Sequence, residues 1–275
     1  MPRILLKTTI PFAAADWHIG RFAMLRDHLA ALGHTVTARD RAADAGGDDP
    51  DLAGLAAAPV DQLWLFAVDR GGGLSDADCA GIVAFRGRGG GCLTTRDHDD
   101  LGACLTRLGA LGAAHHFHSV NCEPDPARQS RDDPHTANVS WPNYHSGANG
   151  DAQAIDVTAP AHALLLDGAR PLRWFPAHPH EGAVSAPAGG VARVIATGIS
   201  RATGRPFNLA VAIEPSDGSG RAVAQSTFHH FCDYNWDPRA GCPSFVSEPP
   251  SDGMRRDPQA LTDIKAYCRN LAAWL

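Results

Sequence analysis

The sequence predicts an α/β fold with one open, mostly parallel sheet and helices on both of its faces. Strand-like apolar runs alternate with segments of helical periodicity through the first hundred residues, and such alternation is typical of parallel strands joined by helical crossovers. The run QLWLFAV at 62–68 is apolar throughout, as expected of a strand covered on both faces. Because no strong linker interrupts the chain, we treat 1–275 as a single domain.

The predicted elements of the N-terminal half alternate between strand and helix. We expect strands at 3–9, 35–38, 62–68 and 89–95, a loop and helix within 16–32, and helices at 75–86 and 99–108. The first helix carries an apolar stripe that Gly33 ends. Ser75 precedes two acidic residues and therefore resembles a helix N-cap, and Asp16 is a second candidate N-cap.

The C-terminal half contains a long insertion followed by more strands. Between 121 and 155 neither helical nor strand periodicity is sustained, so we expect an inserted loop, and its aromatic residues favour an ordered one. Further strands are predicted at 172–175, 191–198, 209–214 and 222–227, and a final helix at 258–274.

Composition limits the classes of partner. A net charge of -6 lacks the basic surplus that binding to nucleic acid requires, and no stretch approaches the roughly 20 apolar residues of a membrane helix. The apolar run near the N-terminus is too short for the core of a signal peptide. Seven cysteines without a C-x-x-C pair indicate free thiols in a reducing cytoplasm. We therefore expect a cytoplasmic protein whose partner is a small-molecule substrate, and homo-oligomerisation stays open.

Polar residues follow four of the predicted strands. Ligands of open α/β sheets bind beyond the carboxyl ends of the strands, so these positions are the first candidates for a site. They are Asp16, Trp17 and His18; Arg96, Asp97 and His98; His178, His180 and Glu181; and His229 and His230. Each histidine taken alone has an equally good structural interpretation, in which it bonds to backbone carbonyls at a strand end.

Histidines and carboxylates in such places can perform two kinds of chemistry. His180 and Glu181 could act as a base with an orienting carboxylate, or could ligate a divalent metal such as zinc together with His98 and His229. No metal-helix spacing is present, so metal binding depends on how the chain folds. His116 and His118 form another H-x-H pair, for which a strand-end position is the preferred interpretation.

The insertion contains a candidate sugar-binding segment, WPNYHSGANGD. Trp141 and Tyr144 could stack on a sugar face while Asn143 and His145 bond its hydroxyls. The alternative is a structural loop held together by its own aromatic side chains.

Several motifs together resemble the ThuA-like branch of the class I glutamine amidotransferase superfamily. The segments that carry the resemblance are TTIPFAAADWHIGRFAMLRDHL, GGGCLTTRDHDDLG, WPNYHSGANGD, HPHEGAV and STFHHFCDYNWD. The resemblance implies a flavodoxin-like, glutamine amidotransferase-like sheet and a sugar-like substrate. It departs from glutaminases at the turn after the fourth strand, where Thr95, Arg96 and Asp97 stand instead of a cysteine. Cys92 lies inside the strand, where we expect a buried small side chain, and we therefore do not expect a glutaminase.

We therefore predict a hydrolase or lyase that acts on a small polyhydroxylated or carbonyl-bearing substrate by histidine and carboxylate acid-base chemistry. The candidate catalytic residues are Arg96, Asp97, His98, Glu181 and His229, with Arg96 holding an anionic group. The candidate substrate-binding residues are Asp16, Trp17, Trp141, Asn143, Tyr144, His145, His180 and His230. The candidate metal ligands are His98, His180, Glu181 and His229. One alternative is a non-catalytic ligand- or protein-binding member of the superfamily. Another is a glutaminase-like or peptidase-like hydrolase that uses a cysteine from elsewhere in the chain, such as Cys232 beside His230.

Overall fold

The computed structural model describes residues 1–126, 129–130, 139–140, 151–176, 181–189, 191–199, 204–215, 218–247 and 249–275, with the side chains of 129–130 and 139–140 left out. The predictions on Trp141, Asn143, Tyr144 and His145, and those on His178 and His180, lie outside these residues.

The described residues form short and long strands and several helices. The strands are β1 Arg3–Thr8, β2 Thr35–Arg39, β3 Gln62–Phe66, β4 Gly91–Thr95, β5 His115–His116, β6 Gln129–Ser130, β7 Val139–Ser140, β8 Ala152–Ala154, β9 Asp156–Val157, β10 Leu166–Asp167, β11 Arg170–Pro171, β12 Trp174–Pro176, β13 Ala183–Val184, β14 Ala192–Ile199, β15 Pro206–Ile213 and β16 Ala222–Gln225. The α-helices are α1 Ala23–Ala31, α2 Pro50–Ala53, α3 Asp76–Gly87, α4 Asp233–Trp236, α5 Gly253–Arg256 and α6 Gln259–Trp274. Short 3-10 helices cover Ile19–Phe22, Leu55–Ala57, Ala103–Arg107, Gly112–Ala114, Ala163–Leu165, His229–Phe231 and Pro238–Ala240.

The main sheet has the strand order β2-β1-β3-β4-β16-β15-β14-β9. Its first five strands are parallel, and β15, β14 and β9 continue it with antiparallel pairing. In order of appearance the parallel part reads 2-1-3-4-5, which is the flavodoxin-like order. The predicted open, mostly parallel sheet is therefore confirmed.

Two apolar layers cover the two faces of this sheet. Along β3 the side chains alternate, so that Trp64 and Phe66 join the layer of α1 and α6 while Leu63 and Leu65 join the layer of α3. All five residues of β3 are buried, which explains why its sequence is apolar without alternation. The prediction of helices on both faces is confirmed.

Several local predictions need correction. Asp16 does not cap a helix; its Oδ1 accepts the N–H of Trp17 at 2.7 Å, and the N-cap of the first 3-10 helix is His18. The helix predicted at 99–108 is only a 3-10 segment, Ala103–Arg107, because Asp99 and Gly102 both have left-handed backbone conformations that end regular structure. Strand pairing at 115–118 is limited to His115–His116.

A buried ion cluster lies along the first strand. The Lys7 ammonium is fully buried and lies 2.8 Å from Asp49 Oδ2 and 2.8 Å from Asp51 Oδ2. Asp49 also caps α2, since its side chain accepts the N–H of Asp51. The cluster thus ties α2 to β1. Within the part of the chain that the structure covers, no helix combines the length and the apolar character needed to cross a bilayer.

Candidate functional site

The candidate site begins where β4 ends, because alternate side chains there leave on opposite faces of the sheet. Thr94 and Arg96 point to the α3 layer, where Thr94 Oγ1 contacts His115 Nε2 at 2.9 Å and the Arg96 guanidinium lies 4.0 Å from the ring centre of Phe117. Asp97 points to the α1 and α6 layer, where it meets His229. The sequence R-D-H therefore sends consecutive side chains to different environments.

The Asp97 carboxylate contacts two imidazoles through one oxygen atom. His229 Nε2 lies 3.2 Å from Asp97 Oδ2, and His98 Nδ1 lies 3.1 Å from the same atom. Because an ionised carboxylate only accepts, His229 donates its Nε2–H here. Asp97 and His229 are almost completely buried, whereas the His98 side chain keeps 23% of its surface exposed. His98 is therefore the member of this group that a ligand can reach.

The charges in this group move two pKa values in opposite directions. Burial by itself would raise the pKa of the Asp97 carboxyl, but His98 and His229 outweigh it and hold that pKa well below its ordinary value. Burial by itself would lower the pKa of His98, but Asp97, with help from Asp99, raises it above its ordinary value. At neutral pH an ionised Asp97 thus favours a protonated His98.

Two oxygen atoms at this turn have no hydrogen-bond partner among the described residues. They are Asp97 Oδ1 and Thr95 Oγ1, and both are buried. Thr95 lies two residues before Asp97, so the two side chains leave the strand on the same face. A buried polar atom without a partner costs roughly 1–3 kcal/mol, so the described residues leave this turn with two unsatisfied polar atoms.

Arg96 is held by the backbone rather than exposed to an anion. Its guanidinium donates to the carbonyl of His116, to Asp99 O at 2.6 Å and, more weakly, to Ala183 O at 3.5 Å. Burial lowers the pKa of Arg96 to about 9. These contacts fasten the turn after β4 to β5 and β13, which is a different role from the predicted anion binding.

A second polar network surrounds Glu181 and His230. Glu181 Oε1 lies 3.0 Å from His230 Nε2, and its Oε2 accepts the Ser226 hydroxyl at 2.5 Å. Gln225 Nε2 lies 2.8 Å from His230 Nδ1, and the Tyr267 hydroxyl donates to Gln225 Oε1 at 2.9 Å. Because Gln225 takes the tyrosine proton on its oxygen, it donates to His230 Nδ1, and His230 therefore donates its Nε2–H to Glu181. All five residues are buried.

Gly182 brings the segment of Glu181 against the turn after β4. A Cβ atom at position 182 would lie 2.5 Å from Arg96 Nε and 2.5 Å from Asp97 O. The Gly182 N–H also donates to Ser226 O at 2.9 Å, and the Phe228 N–H donates to Arg96 O at 2.9 Å. The structure thus brings together the R-D-H turn, the E-G segment and the F-H-H segment, which are far apart in the chain.

We expect Gly182→Ala to destabilise the fold by about 1–3 kcal/mol, because the added methyl must displace Arg96 or the Asp97 backbone. Chemical denaturation measures the change. Gly72→Ala is the matched control, since a Cβ there meets no atom within 4 Å, and its effect should stay within about 0.5 kcal/mol. Equal stability of the two variants would contradict the close approach of Gly182.

Trp17 forms one wall of the site, but Asp16 is more distant from it. The Trp17 ring meets His229 edge to face at 4.9 Å and Phe228 at 5.3 Å, and it is buried. Asp16 is half-buried and bonds to the backbone of Trp17. Trp17 therefore orients the His229 ring.

Metal binding and cysteine chemistry were also predicted as alternatives. Across the described residues, no three His, Cys, Asp or Glu side chains lie close enough together to hold one ion. His180, one of the four predicted ligands, lies outside those residues, so the metal site stays a prediction. Cys92 is buried, as expected, and burial raises its pKa to about 12. Burial likewise raises the pKa of Cys232, whose Sγ contacts His229 O, and this disfavours a thiolate nucleophile there.

Sequence reasoning missed the partners that hold the predicted residues. Gln225 and Ser226 are polar residues at the end of a buried strand, which is a signal that could have singled them out. Tyr267 lies on α6 and looks like an ordinary core residue in the sequence.

The comparisons with known proteins give a fold and no family assignment. Neither a family model nor a curated protein matches the sequence. Among solved structures, the cytoplasmic protein STM1381 from Salmonella typhimurium LT2 has a TM-score of 0.53 at 10% identity, over 99% of this chain and 99% of that one. The N-terminal domain of mmIFT52 has a TM-score of 0.51 at 13% identity, over 85% of this chain and 90% of that one.

ThuA-like proteins are also among the structural neighbours. One from Parabacteroides merdae ATCC 43184 has a TM-score of 0.49 at 14% identity, over 82% of this chain and 78% of that one. Identities this low are informative about the fold alone.

Proposed function

We propose that this chain is an enzyme that acts on a small polyhydroxylated or carbonyl-bearing substrate, with Asp97 and His98 carrying the acid-base chemistry. The observation that supports this most is the shared contact of Asp97 Oδ2 with His98 and His229, at the carboxyl end of a central strand. Ligands of flavodoxin-like sheets bind at that end.

His98 acts as the proton donor in this proposal. The ionised Asp97 raises the pKa of His98 and so favours its protonated form, and His98 is partly exposed, so it can deliver a proton to a carbonyl or leaving-group oxygen. The neutral imidazole then takes a proton back from water or from the substrate. His229 and Trp17 hold Asp97 in place from the buried side.

A hydroxyl- or carbonyl-bearing substrate fits the accessible group of the site. The His98 side chain keeps 23% of its surface exposed, and a substrate oxygen would accept its N–H. The resemblance to ThuA-like proteins independently favours a sugar-like substrate. Arg96 and the Glu181–His230 network position the turn and the F-H-H segment in this proposal and do not touch the substrate.

A non-catalytic ligand-binding protein is the second candidate. It is favoured by the almost complete burial of Asp97 and His229, which leaves His98 as the accessible titratable group of this cluster. Such a protein would use the same polar atoms to bind a hydroxylated ligand without turnover.

A substrate panel with one matched pair of variants separates the two candidates. The purified chain is incubated with keto sugars, glycosides and sugar esters, product formation is followed by NMR, and binding by calorimetry. Enzymatic function predicts turnover by the wild type and its loss in His98→Gln with binding retained. His34→Gln is the control, because His34 directly precedes β2, at the opposite end of the strands. Binding of a panel member by the wild type without turnover would favour the second candidate, and full turnover by His98→Gln would overturn the assignment of His98.

A further inference from the structure

A second polar group forms around His116, whose carbonyl accepts a hydrogen bond from Arg96. His116 Nε2 contacts the Ser185 hydroxyl oxygen at 2.6 Å, and His116 Nδ1 contacts the carbonyl oxygen of Asn121 at 2.8 Å. Ser185 directly follows β13, which pairs with β5 so that Ala183 lies opposite His116. The proposed function does not use any of these side chains.

The contacts of His116 determine which ring nitrogen carries the proton. A carbonyl oxygen only accepts, so the neutral ring must donate Nδ1–H to Asn121 O. Nε2 then carries the lone pair, and it accepts the Ser185 hydroxyl proton. This polarity is the one that a general base needs in order to activate a serine.

Asn121 is fixed in the conformation that presents its carbonyl to His116. Its φ is 48°, in the left-handed region that asparagine tolerates better than most residues. Its side-chain amide donates to His115 O at 2.6 Å, which ties the turn back to β5. The backbone carbonyl of Asn121, which accepts the Nδ1–H of His116, is thus held in place by its backbone conformation and by this side-chain bond.

Burial distinguishes the two members of this pair. His116 is buried, whereas Ser185 is partly exposed. Glu123 is also buried, and its Oε2 lies 3.7 Å from His116 Nε2, the atom that contacts Ser185. The serine is thus the more accessible member of the pair.

We propose that Ser185 is a nucleophile activated by His116 and that it accepts acyl groups from carboxylic esters. Ser185 Oγ attacks the ester carbonyl carbon while His116 Nε2 takes the hydroxyl proton. The ester C–O bond breaks, and His116 returns the proton to the departing alcohol, which leaves an acyl group on Ser185. Water attacks that acyl group with His116 again as the base, releasing the carboxylic acid and restoring the serine.

Covalent labelling tests this proposal without any turnover at the Asp97 group. The intact chain is treated with a fluorophosphonate probe, the adduct is located by peptide mass spectrometry, and hydrolysis of p-nitrophenyl acetate is followed in parallel. We expect one adduct, on Ser185, and its loss in Ser185→Ala. His116→Gln should slow labelling by about 10²-fold or more, the usual contribution of a general base.

Ser251→Ala is the matched control. The Ser251 hydroxyl also donates to a side chain, in this case to Asp151 Oδ1 at 2.7 Å. A carboxylate does not take up a hydroxyl proton as an imidazole does. The labelling rate of Ser251→Ala should equal that of the wild type. Circular dichroism checks that each variant is folded. An adduct on another residue, absence of an adduct on folded wild type, or labelling of folded His116→Gln at the wild-type rate would each overturn the proposal.

Discussion

Replacing Asp97 by asparagine is expected to reduce turnover of the panel substrates by about 10²–10⁴-fold, the usual range for the loss of general acid-base catalysis. The amide keeps the size of the side chain but removes the negative charge that raises the pKa of His98. It also places a donor or a weaker acceptor against His229, whose Nε2–H bonds to Asp97 Oδ2 in the wild type. Steady-state kinetics on whichever substrate the wild type turns over measures the effect.

NMR titration gives a second readout of the same variant that needs no substrate. In the wild type, the pKa of His98 should lie above the ordinary value for histidine, because the attraction of Asp97 exceeds the effect of burial. In Asp97→Asn, that pKa should fall well below the wild-type value, since burial then opposes protonation with less compensation. An unchanged His98 pKa would show that the two side chains are not coupled in solution.

The two pKa shifts also predict how the difference in stability between the wild type and Asp97→Asn depends on pH. The raised pKa of His98 stabilises the fold below the pKa of an unfolded histidine, and this contribution is lost as pH rises through the folded value. The lowered pKa of Asp97 stabilises the fold above the pKa of an unfolded carboxyl, and this contribution is lost as pH falls through the folded value. The difference in free energy of unfolding between the wild type and Asp97→Asn should therefore be largest between the pKa of an unfolded carboxyl and that of an unfolded histidine.

Lys7→Met is expected to lower the free energy of unfolding by about 3–5 kcal/mol, which is the usual cost of breaking a buried ion pair. The methionine fills much of the space of the lysine stem but leaves Asp49 buried without its cation. Asp51 loses the same partner, although Arg39 Nη1 still contacts it at 2.7 Å. Equilibrium denaturation by urea measures the change.

Arg3→Met is the control on the same strand. Arg3 forms an ion pair with Asp61 in which both side chains are about half-exposed, so solvent screens the interaction. The loss of free energy of unfolding in Arg3→Met should be far smaller than the loss in Lys7→Met. If the two variants lost equal stability, the buried cluster around Lys7 would not contribute as we describe.

The sequence predicted the main sheet well because its signals are local. The apolar run around Trp64 and the glycine-prefaced strand around Leu93 each form the central strands they predicted. The segment after His98 was less predictable. The left-handed conformations of Asp99 and Gly102 interrupt a pattern that reads as helical, and they depend on tertiary contacts of the turn, such as the bond from Arg96 to Asp99 O.

The sequence predicted where the site residues lie in the fold, but not which of them contact one another. Asp97, His98 and His229 were named because they follow strands, which is a property of the sequence pattern. The meeting of Asp97 with His229 spans 132 residues, and the hydrogen bond from Tyr267 to Gln225 spans 42 residues. Arg96 shows the limit most clearly, since its charge predicted an anion partner and its burial gave it backbone carbonyls instead.

The amino-acid sequence alone determined the class of fold and the side chains at the ends of the strands, because hydrophobic periodicity and turn residues act over a few neighbours. Only the tertiary structure decided which of those side chains share a proton, which are buried with the backbone and which remain accessible. Those properties depend on distances and burial between segments far apart in the chain, and pKa values respond to distance and burial rather than to sequence spacing.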